Sequence, residues 1–288
     1  MPTSTTTEPV LPPELECTIF QLAAWEDMDM IRTLMLVARR VKTWMSPLRY
    51  RVCRIEDDED LEALWRLANS YPDDCAHTTH LTTVVEPESM LDTISRLVQA
   101  CPNLVDLRLC GAPPVADDML AIAALPHLRR LSMSPSDVFL NADDDGHPAF
   151  LPLPGLTHLE LLEEVEPTAV PWIARAFPGL THLSFNDVYL PTVMQRALKT
   201  LHGLHVCVYV YRVDDWDWDK GRSPVIFEEH RAALAPIQDK DLRLVALLLV
   251  DLDDDWERGA WGGQDYWAWA EEEVATKSAA TTRKTVET

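Results

Sequence analysis

The chain has 288 residues, with 25 Lys and Arg against 47 Asp and Glu, for a formal net charge of −22. A surface of that sign repels nucleic acid and anionic lipid, so both are excluded as partners. Hydrophobic residues at 47% and charged residues at 25% are ordinary globular composition, whereas 9 Gly are few and 21 Pro are many, which leaves little material for phosphate-cradling loops and much for punctuating short elements.

Residues 1–10 are polar and Thr-rich and are expected to be a disordered tail. They carry neither the basic and apolar segments of a secretory signal nor the Arg-rich character of a transit peptide. No apolar run reaches the length of a membrane span. Six scattered cysteines without a CxxC pair read as small buried hydrophobes of an intracellular protein, placing the chain in cytoplasm or nucleus.

Residues 11–52 carry a helical pattern. Leu15, Ile19, Phe20 and Leu22 follow a Pro-Pro start, Met30, Leu34 and Val37 continue the spacing, and Val41, Trp44 and Met45 begin a third helix. So small a block needs a neighbour to pack against.

Residues 53–252 contain a repeat. CPNLVDLRL from Cys101, LPHLRRLSM from Leu125, LPGLTHLEL from Leu153 and FPGLTHLSF from Phe177 align, with a degenerate fifth, LHGLHVCVY, from Leu201. Their first core leucines, Leu104, Leu128, Leu156, Leu180 and Leu204, are separated by 24, 28, 24 and 24 residues. Weaker members flank them near Leu81 and Leu244, and helical stretches lie between, as at Met90 to Val98, Met119 to Ala124 and Val193 to Leu198. The 14 residues from Ser134 to His147, with Asp143 to Gly146, read as an exposed loop. Strand then helix at this period predicts an α/β leucine-rich-repeat solenoid, short and irregular, with parallel strands on the concave face and helices on the convex face. The core leucines point between strand and helix, so the alternating positions Asp106, Arg108, Arg130, Ser132, His158, Glu160, His182 and Ser184 are expected to line the concave face as a target-binding surface.

His158 and His182 occupy the same position in neighbouring units. They could share a metal, but a polar ladder explains them better, since no third ligand is evident. Asp143 to Gly146 lacks the spacing of a calcium loop. No nucleophile, phosphate or zinc-protease motif occurs, so no catalytic residue and no cofactor are expected. The acidic runs at Glu56 to Asp60, Asp251 to Asp255 and Glu271 to Glu273 read as solvated edges. Asp214 to Ser223 is acidic and Trp-bearing. Residues 253–275, with Trp256, Trp261, Trp267 and Trp269, are expected to cap the open edge of the last repeat, Asp265 starting a final helix. Residues 276–288 are expected to be a second disordered tail.

The residues Leu11-Pro12-Pro13-Glu14-Leu15, Ile19-Phe20, Leu34, Val37, Arg39-Arg40, Trp44, Pro47-Leu48 and Tyr50 resemble the F-box motif, departing from it at Ala38 and in the later placement of Trp44. With the repeats, the chain resembles the fungal F-box/leucine-rich-repeat proteins. That resemblance implies docking on a Skp-family adaptor, and through it a cullin, in an SCF-type ubiquitin ligase, with the solenoid holding an unidentified protein target. Such a subunit is not an enzyme and is a monomer outside the complex. Leu11, Pro12, Leu15, Ile19, Phe20, Leu36, Val37 and Trp44 are then the adaptor-facing or supporting residues. The alternative is a repeat scaffold whose N-terminal block merely seals the first repeat.

Overall fold

The computed structural model describes residues 11–84, 93–111, 113–135, 152–186, 189–213 and 223–286. The Thr-rich tail, Met90 and Leu91, the loop at Asp143 to Gly146 and the acidic segment 214–222 lie outside the described residues.

Three short helices open the chain: α1 (Pro13–Ala23), α2 (Met28–Leu34) and α3 (Arg39–Arg49). Pro13 begins α1 where its missing N–H costs nothing, and Glu14 and Glu16 sit favourably in that first turn. The Asp27 carboxylate caps α2 by accepting from the Met30 amide at 2.8 Å.

Eight strands follow, β1 (Val52–Ile55), β2 (His80–Thr83), β3 (Asp106–Leu109), β4 (Arg130–Met133), β5 (His158–Leu161), β6 (His182–Asn186), β7 (Val206–Arg212) and β8 (Leu244–Leu249). They form one parallel sheet in chain order. The fold is therefore a solenoid-like α/β array. Intervening helices are α4 (Asp58–Ser70), α5 (Pro72–Cys75), α6 (Thr93–Ala100), α7 (Ala116–Ala123), α8 (Val170–Ala176), α9 (Pro191–Thr200) and α10 (Ser223–Gln238). Both weak flanking repeats are strands, β2 and β8. The unit of β1, α4 and α5 was not expected. Its acidic run is exposed, as expected, and it also caps a helix: the Asp57 carboxylate accepts from the Glu59 and Asp60 amides, and the following acids sit in the first turn of α4, against its positive end.

The register places Leu81, Leu107, Leu131, Leu159 and Leu183 side by side. With Ile94, Leu97, Met119, Ile122, Ile173, Val193 and Met194 from the helices they form one continuous buried core. A fully buried leucine is worth about 1.5–3 kcal/mol, so the repeated leucine string and the sheet specify each other. A polar stitch repeats as well. Thr157 Oγ1 donates to the Arg129 carbonyl and Thr181 Oγ1 to the Thr157 carbonyl, each at 3.1 Å, fixing successive turns. Gly179 marks the closest approach, because a Cβ there would lie 2.3 Å from the Pro154 carbonyl oxygen.

The last two helices, α11 (Leu252–Ala260) and α12 (Tyr266–Val286), complete the chain. Residues 276–286, expected to belong to a tail, continue α12. The Asp251 carboxylate caps α11, accepting from the Asp253 and Asp254 amides at 3.0 and 2.9 Å. Asp265 caps α12 as expected, its Oδ1 accepting from the Ala268 amide at 3.0 Å. This C-terminal hairpin packs against the last two strands, where Leu252, Tyr266 and Trp267 meet Val206, Val208, Val245 and Leu249. It folds back across the concave face of the sheet.

Candidate functional site

Two surfaces carry the residues singled out in the sequence, the N-terminal block and the concave face. On α1, Leu15, Ile19 and Leu22 recur at the spacing of one helical stripe. Such a stripe ordinarily faces a core, yet α1 contributes no buried residue. Leu15 and Ile19 are each 53% exposed, and at the end of α2 Leu36 and Val37 are 87% and 61% exposed. Leu11 and Pro12 are exposed beside them. Phe20 and Trp44 behave differently: they are partly buried beneath this face, their ring centroids 6.2 Å apart. The eight residues singled out on the block thus divide into six that face outward and two that support them. An Arg40–Glu16 ion pair at 2.9 Å ties α3 to α1, and the Arg40 guanidinium lies over the Trp44 ring.

The concave face carries two rows set by strand register. One runs His80, Asp106, Arg130, His158, His182 and Val206, and the other Thr82, Arg108, Ser132, Glu160, Ser184 and Val208. All eight residues expected on a concave target-binding face therefore lie there, but the face is not open. Asp106, Arg108, Ser132, Glu160, His182 and Ser184 are buried, and Arg130 and His158 are half-buried. The C-terminal hairpin covers them, and its acidic residues meet basic ones on the sheet. Arg108 pairs with Asp253, Arg130 with Asp265 at 2.5 Å, His182 Nε2 with Glu271 at 2.9 Å, and, from β1, Arg54 with Glu257 at 3.0 Å. Toward the far end the face turns apolar. Val206, Val208, Val210, Val245 and Leu249 pack against Leu252, Tyr266, Trp267 and Ala270.

His158 and His182 stack with centroids 4.0 Å apart and planes 5° from parallel, and Trp267 meets both rings edge to face. Burial, with repulsion from His182 and Arg130, drives His158 down to about 2, and burial holds His80 down to about 3. Burial raises Asp106 to about 6, with Arg130 opposing. These groups are strongly perturbed, which often marks a working site. Here the space left between sheet and hairpin is about 20 Å³, lined among others by Asp106, Arg108, Glu160, Trp256 and Tyr266. That is room for little more than a water.

Among the described residues, no three His, Cys, Asp or Glu converge as metal ligands. The thiols of Cys53, Cys101 and Cys207 are pushed up to about 12 by burial, as in inert core cysteines. Among the described residues, no helix is long and apolar enough to cross a membrane.

Arg51, Arg54 and Trp261 are organising residues that neither periodicity nor motif singles out. Trp261 is buried within the N-terminal block, among Ala24, Ile31, Val41, Met45 and Leu48. Its signal was present in the pair Gly262-Gly263. Two glycines after a helix mark a left-handed cap, and Gly262 has φ +85°. No protein-family model and no curated protein matches the chain.

Proposed function

We propose that the chain is a substrate-recognition subunit of an SCF-type ubiquitin ligase, its N-terminal block an F-box that docks a Skp-family adaptor and through it a cullin. The observation that carries this reading is the outward apolar stripe of α1 together with Leu36 and Val37. Apolar side chains left grouped on one exposed helix face mark an interaction site. A block that only sealed the solenoid would turn that stripe inward. The residue order of the F-box motif supplies the identity of the partner. Such a subunit performs no bond chemistry. It brings a target close to the conjugating enzyme and so raises its effective concentration, in cytoplasm or nucleus. The solenoid is the target-holding part, although its concave ladder is occupied by the chain's own C-terminal hairpin in this conformation.

A pull-down with purified Skp-family adaptor tests the reading. The wild-type chain should retain the adaptor, and a Leu15→Ala/Ile19→Ala/Val37→Ala variant should lose it while melting within a few degrees of wild type, because all three residues are exposed. Equal capture by both proteins, or none by the wild type, refutes the assignment.

A further inference from the structure

The core of the N-terminal block is incomplete without the other end of the chain. Ala24, Ile31, Val41, Met45 and Leu48 are its fully buried residues, and the large side chain that fills the space between them is Trp261, 3% exposed. The two ends also satisfy each other's polar groups. The last carbonyls of α11 have no partner within their helix. Arg51 Nε and Nη2 donate to the Ala260 carbonyl at 3.3 and 3.2 Å, and Trp25 Nε1 donates to the Trp261 carbonyl. The Trp25 and Trp261 rings meet edge to face at 5.5 Å, and the Arg51 guanidinium covers Trp25.

Local geometry delivers Trp261 to this position. The Gly262 amide donates to the Gly259 carbonyl at 2.9 Å and the Gly263 amide to the Arg258 carbonyl at 2.8 Å. This is a Schellman turn that ends α11 with the Trp261 side chain in the block. The helix it terminates is fixed to the sheet by Arg54–Glu257 and Arg108–Asp253. A continuous chain of contacts therefore runs from the concave face through α11 to the underside of α1–α3.

We propose that Trp261 is the positioning residue of the N-terminal block: it orders α1–α3 and fixes the exposed apolar stripe at one orientation relative to the sheet. The presentation of the docking face is thus set by residues more than 200 positions away from it. The consequence for adaptor capture rests on the ligase reading; the ordering of the block does not.

Hydrogen exchange on the full-length chain, without adaptor, tests it. In Trp261→Ala, amides of α1–α3 should exchange about 100-fold faster than in wild type while those of β4–β6 keep their protection. Trp261→Phe, which keeps an aromatic plug, should restore most of it. Unchanged protection in α1–α3, or equal loss in α1–α3 and β4–β6, overturns the proposal. Should Trp261→Ala not accumulate as folded protein, Arg51→Met serves in its place. That variant removes the donors to Ala260 and should speed exchange in α1–α3 about 10-fold; no change there overturns the proposal. Adaptor capture is scored separately. A wild type that captures no adaptor yet shows this exchange pattern refutes only the ligase reading. Full capture by Trp261→Ala refutes only the positioning role.

Discussion

Acidification should destabilise this fold through its half-buried, uncharged imidazoles. His158 is held to about 2 in the folded chain against an ordinary value near 6.5 when unfolded. Between those two values the unfolded chain binds a proton that the fold does not, so stability rises with pH across this window and levels off above it. From pH 7 to pH 5 the loss from one such residue is about 2 kcal/mol. His80, held to about 3, adds a loss of similar size. Asp106 acts in the opposite sense. Raised to about 6, it keeps a proton in the fold that the unfolded chain releases, and returns about 1 kcal/mol over the same interval. The three together leave a net loss of about 2–3 kcal/mol. Urea denaturation of wild type and His158→Gln at the two pH values isolates one residue from the many carboxylates. The variant should lose about 2 kcal/mol less than wild type on acidification. Equal losses in both proteins would refute the claim that His158 is held neutral in the fold.

The glycines at one repeat position should differ in tolerance. A Cβ at Gly179 meets backbone at 2.3 Å, whereas at Gly203 its nearest neighbour is 3.5 Å away. Thermal melts should therefore show Gly179→Ala destabilised by about 1–3 kcal/mol and Gly203→Ala hardly at all; a reversed order means the close approach is not structural. Asp265 both caps α12 and pairs with Arg130. Asp265→Asn keeps a capping oxygen and loses the charge, so Asp265→Ala should cost about 1 kcal/mol more by chemical denaturation. Equal costs would remove the cap from the explanation.

The repeat was legible because core leucines recur in a fixed relation to strands, and position 158 could be set against 182 by counting alone. The concave rows followed from the same alternation. Their burial did not follow, because whether a polar sheet face meets water depends on a segment far along the chain. His182 beside Glu271, or Arg108 beside Asp253, has no local signature in either partner's neighbourhood. The acidic run at Glu56 to Asp60 is exposed, as a solvated edge should be, but its part as cap and first-turn charge of α4, like that of Asp251 to Asp254 for α11, is visible only once those helices are. On the N-terminal block the stripe of Leu15 and Ile19 was legible as apolar, but periodicity cannot say which side of a helix faces the core.

The hairpin also changes how the molecule must be made. A repeat array can ordinarily fold as it emerges, each unit resting on the one before. Here Trp25 waits for Trp261, 236 residues later, which at typical synthesis rates is roughly 10–50 s. For that interval the first helices to leave the ribosome carry an outward apolar stripe above an unfilled core. Chaperones that hold exposed apolar segments have their longest opportunity there, and a chain terminated before residue 252 would never leave that state.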